Sequence, residues 1–370
     1  MKRALAILHS PKSLLDFIWY YCVYGKEYDW DLIAIPHGVD SNGEWVCRII
    51  DSANTSGLFS SIVSYNNTIV DKGLLIKAKT IMEMLLYAVV GKQEMYSKKK
   101  LKKIFDEKQY DVIVTVFLGT IFSGMILSLA ETKEVVLLED GSRDYVLHRH
   151  IPTLASIKRE GIQRELAGFV LSKMNYADPT ISYWFSPTKN CEKFSSRPNL
   201  LRYKNYKSIK KLNDMALVDK KEYRRLIEKT FPIGKVAQEF DIALFTAPME
   251  ESFNINVGIE KIVSDYISNR FKPTSILIKK HSRDNNEYVF DPSIHIYEVE
   301  SKIPGELFIH SIDANRFIFL WPSTLMMELN DNANYHVLYI KSLQNQMYNR
   351  ESILNALNNV FLDATCILEI

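Results

Sequence analysis

The chain is constrained most by a recurrence of short apolar runs, each of strand length and each followed by a turn or a stretch with helical spacing. In the first half these runs are Ala4 to Leu8, Asp31 to Ile35, Asp111 to Phe117 and Glu134 to Leu138. In the second half they are Asp241 to Thr246, Thr274 to Lys279, His295 to Glu298 and Arg316 to Trp321. Continuous apolar runs belong to strands buried on both faces, and strands alternating with helices build parallel sheets. An α/β class with two halves is therefore expected. The length of 370 residues agrees, since single domains usually hold ~100 to 200.

Between the two sets of runs, the segment from Ser142 to Lys211 is irregular, with Pro179, Pro187, Pro198 and the basic stretch RYKNYKSIKK. This places a first domain at 1–210 and a second at 211–370, the split falling near residues 205 to 240, with the final helix, Arg350 to Phe361, a candidate for crossing back to the first. Leu74 to Glu107 reads as one or two long helices, and Lys220 to Thr230 as another.

Composition removes several classes of function. Hydrophobic residues at 47% and charged residues at 24% are those of a folded chain rather than a disordered one. Forty-six Lys plus Arg against 44 Asp plus Glu leave a net charge of +2, without the basic excess of a nucleic-acid binder, so any anion site must be local. Cys22, Cys47, Cys191 and Cys366 form no C-x-x-C pair, which argues against a zinc knuckle or a disulfide scaffold. The apolar start of the chain breaks at His9-Ser10-Pro11, too early for a signal-peptide core, and Ile81 to Val90 is about half of the ~20 residues that a membrane span needs. A cytoplasmic protein is expected. The basic stretches Lys98 to Lys103 and Arg202 to Lys211 would allow peripheral contact with an anionic membrane.

Chemistry-bearing residues gather where apolar runs end, which is where open α/β sheets bind ligands. Glu139-Asp140-Gly141-Ser142 follows the run ending at Leu138 and offers two carboxylates, one of which would serve as a base. Lys279-Lys280-His281-Ser282-Arg283 follows Ile278 and offers cations and an imidazole to a phosphate. Pro322-Ser323-Thr324 follows Trp321 and opens a helical pattern over Leu325 to Leu329, so Ser323 reads both as a helix cap and as a phosphate ligand. Pro304-Gly305-Glu306 lies between the last two and offers a carboxylate to ribose hydroxyls. Asp29-Trp30-Asp31 has the Asp-x-Asp spacing of some metal sites but flanks a first-half strand, so no metal site is assigned. His9 and His148 could line the first half's side of a site.

An acidic pair followed in order by a histidine cluster, a Pro-x-Glu and a Ser-Thr pair resembles the bacterial sialyltransferases of the lipooligosaccharide and polysialic-acid type, with their D/E-D/E-G, His-Pro and Ser-Ser/Thr motifs. The resemblance spans Val135 to Leu329, and TAPMEESFNI (Thr246 to Ile255) is similar to the Thr-x-Pro stretch preceding the His-Pro motif in that group. His281-Ser282 departs from it by lacking the proline. The resemblance implies a GT-B architecture, two Rossmann-like domains facing a central cleft. It also implies inverting transfer of sialic acid from CMP-sialic acid to a hydroxyl of a bacterial surface glycan, with no cofactor and no metal. In that scheme Glu139, with Asp140 second, is the base, while His281 acts on the leaving phosphate. Lys279, Glu306, Ser323 and Thr324 bind the nucleotide, and His9, Ser142 and His148 lie toward the acceptor.

Overall fold

A computed structural model describes residues 2–35, 44–64, 109–116, 132–139, 183–185, 210–212, 219–231, 239–255, 258–281, 284–301, 303–309, 312–329, 332–359, 362 and 364–370. By compactness the described residues separate into two units, one of residues up to Phe231 and one of residues from Glu239 on.

The first unit opens with β1 (Lys2–Leu8), whose residues Ala4 to Leu8 are almost wholly buried. The chain then turns into α1 (Pro11–Tyr20), and the local sequence explains why. Ser10 caps the helix by accepting the Ser13 N–H, Ser13 Oγ accepts the Ser10 N–H in return, and Pro11 occupies the first turn, where its missing N–H costs nothing. Leu14, Leu15, Phe17 and Ile18 form its buried face. After a π-helical turn, Tyr21–Gly25, the chain enters β2 (Tyr28–Ala34). Trp30 of β2 stacks edge-on against Phe17 at 4.8 Å and donates its indole N–H to the Gly25 carbonyl at 2.8 Å. There follow α2 (Glu44–Ser56), β3 (Phe59–Ser64), β4 (Tyr110–Thr115), β5 (Thr132–Leu138), β6 (Tyr183–Phe185) and β7 (Lys210–Leu212). All seven strands pair in parallel, in the order β3-β2-β1-β4-β5-β6-β7.

The split falls after α3, later than 210 but inside the expected window of 205 to 240. Helix α3 (Lys220–Thr230) belongs to the first unit, where it packs on α1 and α2. Its Leu226 and Ile227 are buried, Tyr223 meets Trp19 edge-on at 4.5 Å, Glu222 pairs with Lys26, and Lys229 donates to the Ser56 carbonyl at 3.0 Å. Two apolar residues on one face, invisible as a run, outweigh the composition change that marked the boundary.

The second unit contains β8 (Glu239–Phe240), β9 (Ile242–Phe245), α4 (Met249–Phe253), α5 (Ile259–Phe271), β10 (Ser275–Lys279), β11 (His295–Val299), α6 (Glu306–Ile309), β12 (Asp313–Ala314), β13 (Phe317–Phe319), β14 (Tyr335–Tyr339), α7 (Arg350–Asn359) and β15 (Ile367–Glu369). Six of these strands form a parallel sheet in the order β11-β10-β9-β13-β14-β15, and β8 and β12 make a separate parallel pair. In order of appearance that main sheet runs 3-2-1-4-5-6, the Rossmann order, and the first sheet begins 3-2-1-4-5. At the amino-terminal edge Asp241 holds neighbouring strands together, accepting the Thr274 N–H and hydroxyl at 2.7 Å each. Those donors, the Thr274 amide first, lower the Asp241 pKa below the ordinary carboxylate value. After α7 the chain adds β15 beside β14, and the Ile370 N–H donates to the Tyr339 carbonyl at 2.8 Å.

Two Rossmann-like α/β units are therefore present, as expected. The helices expected within Leu74 to Glu107 lie outside the described residues. Among those described, no helix is long and apolar enough to cross a membrane.

If α3 is part of the first unit's core, Leu226→Ala should cost about 2–4 kcal/mol, the usual range for a buried leucine. Amide hydrogen exchange should then rise in the β1 and α1 peptides, while the β9 and β10 peptides stay protected.

Candidate functional site

In a 3-2-1-4 sheet the strand order reverses between strands 1 and 4, and the loops leaving their carboxyl ends diverge to leave a ligand crevice. In the second unit that point lies between β9 and β13, with β10 on the other side of β9. Register aligns Lys279 of β10, Phe245 of β9 and Phe319 of β13. The rings of Phe245 and Phe319 stack at 4.9 Å, which fixes these strand ends as one packed layer. Just beyond it stand His281, Thr246 and the Pro322-Ser323-Thr324 turn, so three segments far apart in sequence reach one edge of one sheet.

His281 is half-buried, and its backbone N–H donates to Thr246 Oγ1 at 3.1 Å. The Thr246 N–H in turn donates to the Lys279 carbonyl at 3.1 Å. On the other side of the histidine, the Asp284 N–H donates to the His281 carbonyl at 3.0 Å. Asp284 is buried and accepts the Tyr288 hydroxyl at 3.1 Å and the Asn286 N–H at 3.1 Å. Burial, with the Asp284 charge second, raises the Tyr288 pKa and keeps the phenol a donor. Ser282 and Arg283 lie outside the described residues.

Lys279 differs from its expected part. Its side chain is buried, and Nζ donates to the Lys280 carbonyl at 2.7 Å and the Ser301 carbonyl at 3.1 Å. An ammonium engaged in this way holds backbone rather than reaching for a nucleotide. Burial pushes its pKa down to about 8, partly offset by the nearby charges of Glu306 and Glu300. That electrostatic link places Glu306 in the same neighbourhood. Gly305 makes a close approach there, since a Cβ on it would stand 2.7 Å from Leu325 Cδ1, so the Pro-Gly-Glu turn leans on the Ser-Thr turn.

Ser323 caps as expected, its Oγ accepting the Leu325 N–H at 3.3 Å. The helix expected over Leu325 to Leu329 is instead one 3-10 turn, Thr324–Glu328. So short a turn builds little macrodipole to attract a phosphate.

In the first unit Glu139 directly follows β5 and has no exposed surface. Asp140, Ser142 and His148 lie outside the described residues. His9 follows β1, half-buried, and its N–H donates to Ser13 Oγ at 3.1 Å, which ties it to the α1 cap. Asp29-Trp30-Asp31 lies inside β2 rather than before it. Asp31 is buried and accepts the Tyr110 hydroxyl at 3.0 Å, and Asp29 accepts from Ser60, so both carboxylates are structural. Among the described residues no group of His, Cys, Asp and Glu could hold a metal ion.

The residue that sequence reasoning left off the site is Thr246. It was visible as the last residue of an apolar run before a Pro-containing turn, but its hydrogen bond to a residue 35 positions away depends on strand register.

The fold and site define a protein of two Rossmann-like α/β units with a ligand-type strand edge in the second. Among solved structures the chain is similar to the glycotransferase of kitacinnamycin (TM-score 0.49, 8% identity, covering 100% of this chain and 85% of that one). It is likewise similar to CalG4, the calicheamicin glycosyltransferase (0.49, 8%, 100% and 86%), and to the E. coli ADP-heptose LPS heptosyltransferase II (0.40, 10%, 100% and 90%). No family model and no curated protein matches the chain.

Lys279 generates a pH test. Between about 8, its folded value, and ~10.4, the ordinary lysine value, the unfolded chain binds a proton that the folded chain does not, so stability from this site rises with pH. The slope should approach ~1.4 kcal/mol per pH unit. Urea midpoints measured across that window should show the slope in the native chain and lose it in Lys279→Met.

Proposed function

We propose that this chain is an inverting GT-B glycosyltransferase that takes a sugar from a nucleotide-activated donor bound at the carboxyl edge of the second sheet. The observation that carries this reading is the Thr246–His281 hydrogen bond between the ends of β9 and β10, beside the point where strand order reverses between β9 and β13, with the Ser323 turn following β13. The donor we assign is CMP-sialic acid and the acceptor a hydroxyl of a bacterial surface glycan, on the ordered acidic, histidine, Pro-x-Glu and Ser-Thr motifs. The work is done in the cytoplasm, with the basic stretches drawing the enzyme to an anionic membrane face.

The acceptor oxygen attacks the anomeric carbon, the bond from that carbon to the phosphate oxygen breaks, the acceptor proton passes to a carboxylate, and CMP departs carrying the electron pair. Charge grows on the phosphate in the transition state, so donors aimed there accelerate the reaction more than they tighten ground-state binding. His281 with the Ser323 and Thr324 hydroxyls fills that part, and Glu306 receives the ribose hydroxyls. A monophosphate leaving group met by these donors needs no divalent ion.

The acidic pair supplies the base, and the burial of Glu139 divides its labour. A carboxylate without exposed surface is out of reach of an acceptor hydroxyl, so we assign proton removal to Asp140 and anchoring of the β5 end to Glu139. Asp140→Asn should then abolish transfer while leaving CMP affinity nearly unchanged, whereas Glu139→Gln should lower the melting temperature first. His281→Ala should both weaken CMP binding and cut transfer by about 10²–10³-fold, as loss of one such donor does elsewhere. Thermal-shift measurements with CMP, UDP, ADP and GDP test the donor: a shift only with UDP, ADP or GDP excludes CMP-sialic acid but keeps the glycosyltransferase. Full activity in both carboxamide variants excludes the acidic pair as base, and strict dependence on added Mg²⁺ excludes the metal-free mechanism.

A further inference from the structure

The peptide group that joins Lys280 to His281 is held at both of its polar ends by side chains. Its carbonyl accepts from Lys279 Nζ at 2.7 Å, and its N–H donates to Thr246 Oγ1 at 3.1 Å. Both clamping groups are themselves fixed. Lys279 Nζ also donates to the Ser301 carbonyl at 3.1 Å, beyond the end of β11, and the Thr246 backbone N–H donates to the Lys279 carbonyl at 3.1 Å. Lys280 is anchored through Nζ to Glu298 of β11 at 3.1 Å. The strand ladder ends at Lys279, and residues past a strand end are normally free to turn, yet here side chains carry the pairing on for two residues.

Orientation of this peptide sets φ of His281 and so the direction in which its imidazole leaves the backbone. A proline after the histidine would stiffen the turn, but Ser282 stands there. We infer that Thr246 and Lys279 are positioning residues for His281, a two-sided clamp that fixes the imidazole for the nucleotide phosphate from the strand side of the turn in place of a proline on the far side. Burial of an ammonium among backbone carbonyls costs free energy, and a lysine kept there in spite of that cost is explained when the orientation of its carbonyl partner matters. Neither residue needs to touch the nucleotide. The inference rests on the reading of His281 as a phosphate ligand given above.

Affinity for CMP, measured calorimetrically on the full chain, tests it through a double-mutant cycle. Thr246→Val keeps the shape and loses the acceptor, and Thr246→Ser keeps the acceptor. Thr246→Val should weaken CMP by about tenfold, the equivalent of one hydrogen bond near the top of its usual range, and Thr246→Ser should restore it. In a His281→Ala background Thr246→Val should cost nothing further, because its effect runs through the imidazole. Lys279→Met should behave in the same way, and if it fails to fold, the threonine pair and the cycle decide alone. Native-like affinity in Thr246→Val, or an equal loss with and without His281, overturns the clamp while leaving the nucleotide site standing. If the native chain binds none of CMP, UDP, ADP and GDP, the glycosyltransferase reading fails and the clamp falls with it; if it binds one of the others, the same cycle is run with that nucleotide.

Discussion

Burial of both faces of a parallel sheet governs the rest of this molecule. Such a sheet cannot alternate polar and apolar residues, so its polar groups are driven to the strand ends, and the carboxyl ends become the places where side-chain chemistry collects. In the second unit Ile242 to Phe245, Ile276 to Ile278 and Phe317 to Leu320 are almost wholly buried, and the first polar residues beyond β9 and β10 are those of the proposed site. The Asp241 hydrogen bonds at the opposite edge set the register from which those ends are measured. A slip of one residue between β9 and β10 would move Thr246 away from the His281 amide and turn alternate side chains to the wrong face.

How much of this was legible in the sequence depended on whether the signal was local. Ala4 to Leu8, Asp241 to Thr246 and Thr274 to Lys279 were readable as strands because burial on both faces leaves a continuous run, and the structure ends them within about two residues of that reading. β3, with the sequence FSSIVS, was not readable: it is an outer strand, its serines face partly toward solvent, and neither an apolar run nor a clear alternation results. β15, only Ile367–Glu369, was hidden by its shortness. α3 is legible as a helix, but the unit it joins is not, because the face it buries is chosen by α1 and α2 and not by its own composition.

The site shows the same division. Residue types and positions at the strand ends were accessible, since a histidine or serine after an apolar run is a one-dimensional fact. What each side chain does there was not. Lys279 looked like a cation for a phosphate, and only the fold reveals the Lys280 and Ser301 carbonyls that surround its ammonium. The turn after Trp321 looked like the start of a helix, but Leu329 adopts an extended conformation and ends it after five residues. In both cases a reading from residue type gave way to competition for hydrogen bonds that becomes visible in three dimensions.

Lys279 also bears on how the proposed phosphate site works when its nearest lysine is occupied. A hydrogen-bonded ammonium keeps its charge, and in a buried setting that charge is screened less than it would be in water. Glu306 and Glu300 offset it from one side, each favouring the protonated form, while His281 lies two residues beyond along the chain. In the proposed site the lysine thus contributes position through its hydrogen bonds and field through its charge. In the proposed site, donors fixed in advance stabilise the leaving phosphate most as charge develops on it. The clamp and the catalytic proposal therefore meet in one requirement: His281 must be held still before the nucleotide arrives, because orientation settled in advance is not reorganised during the reaction.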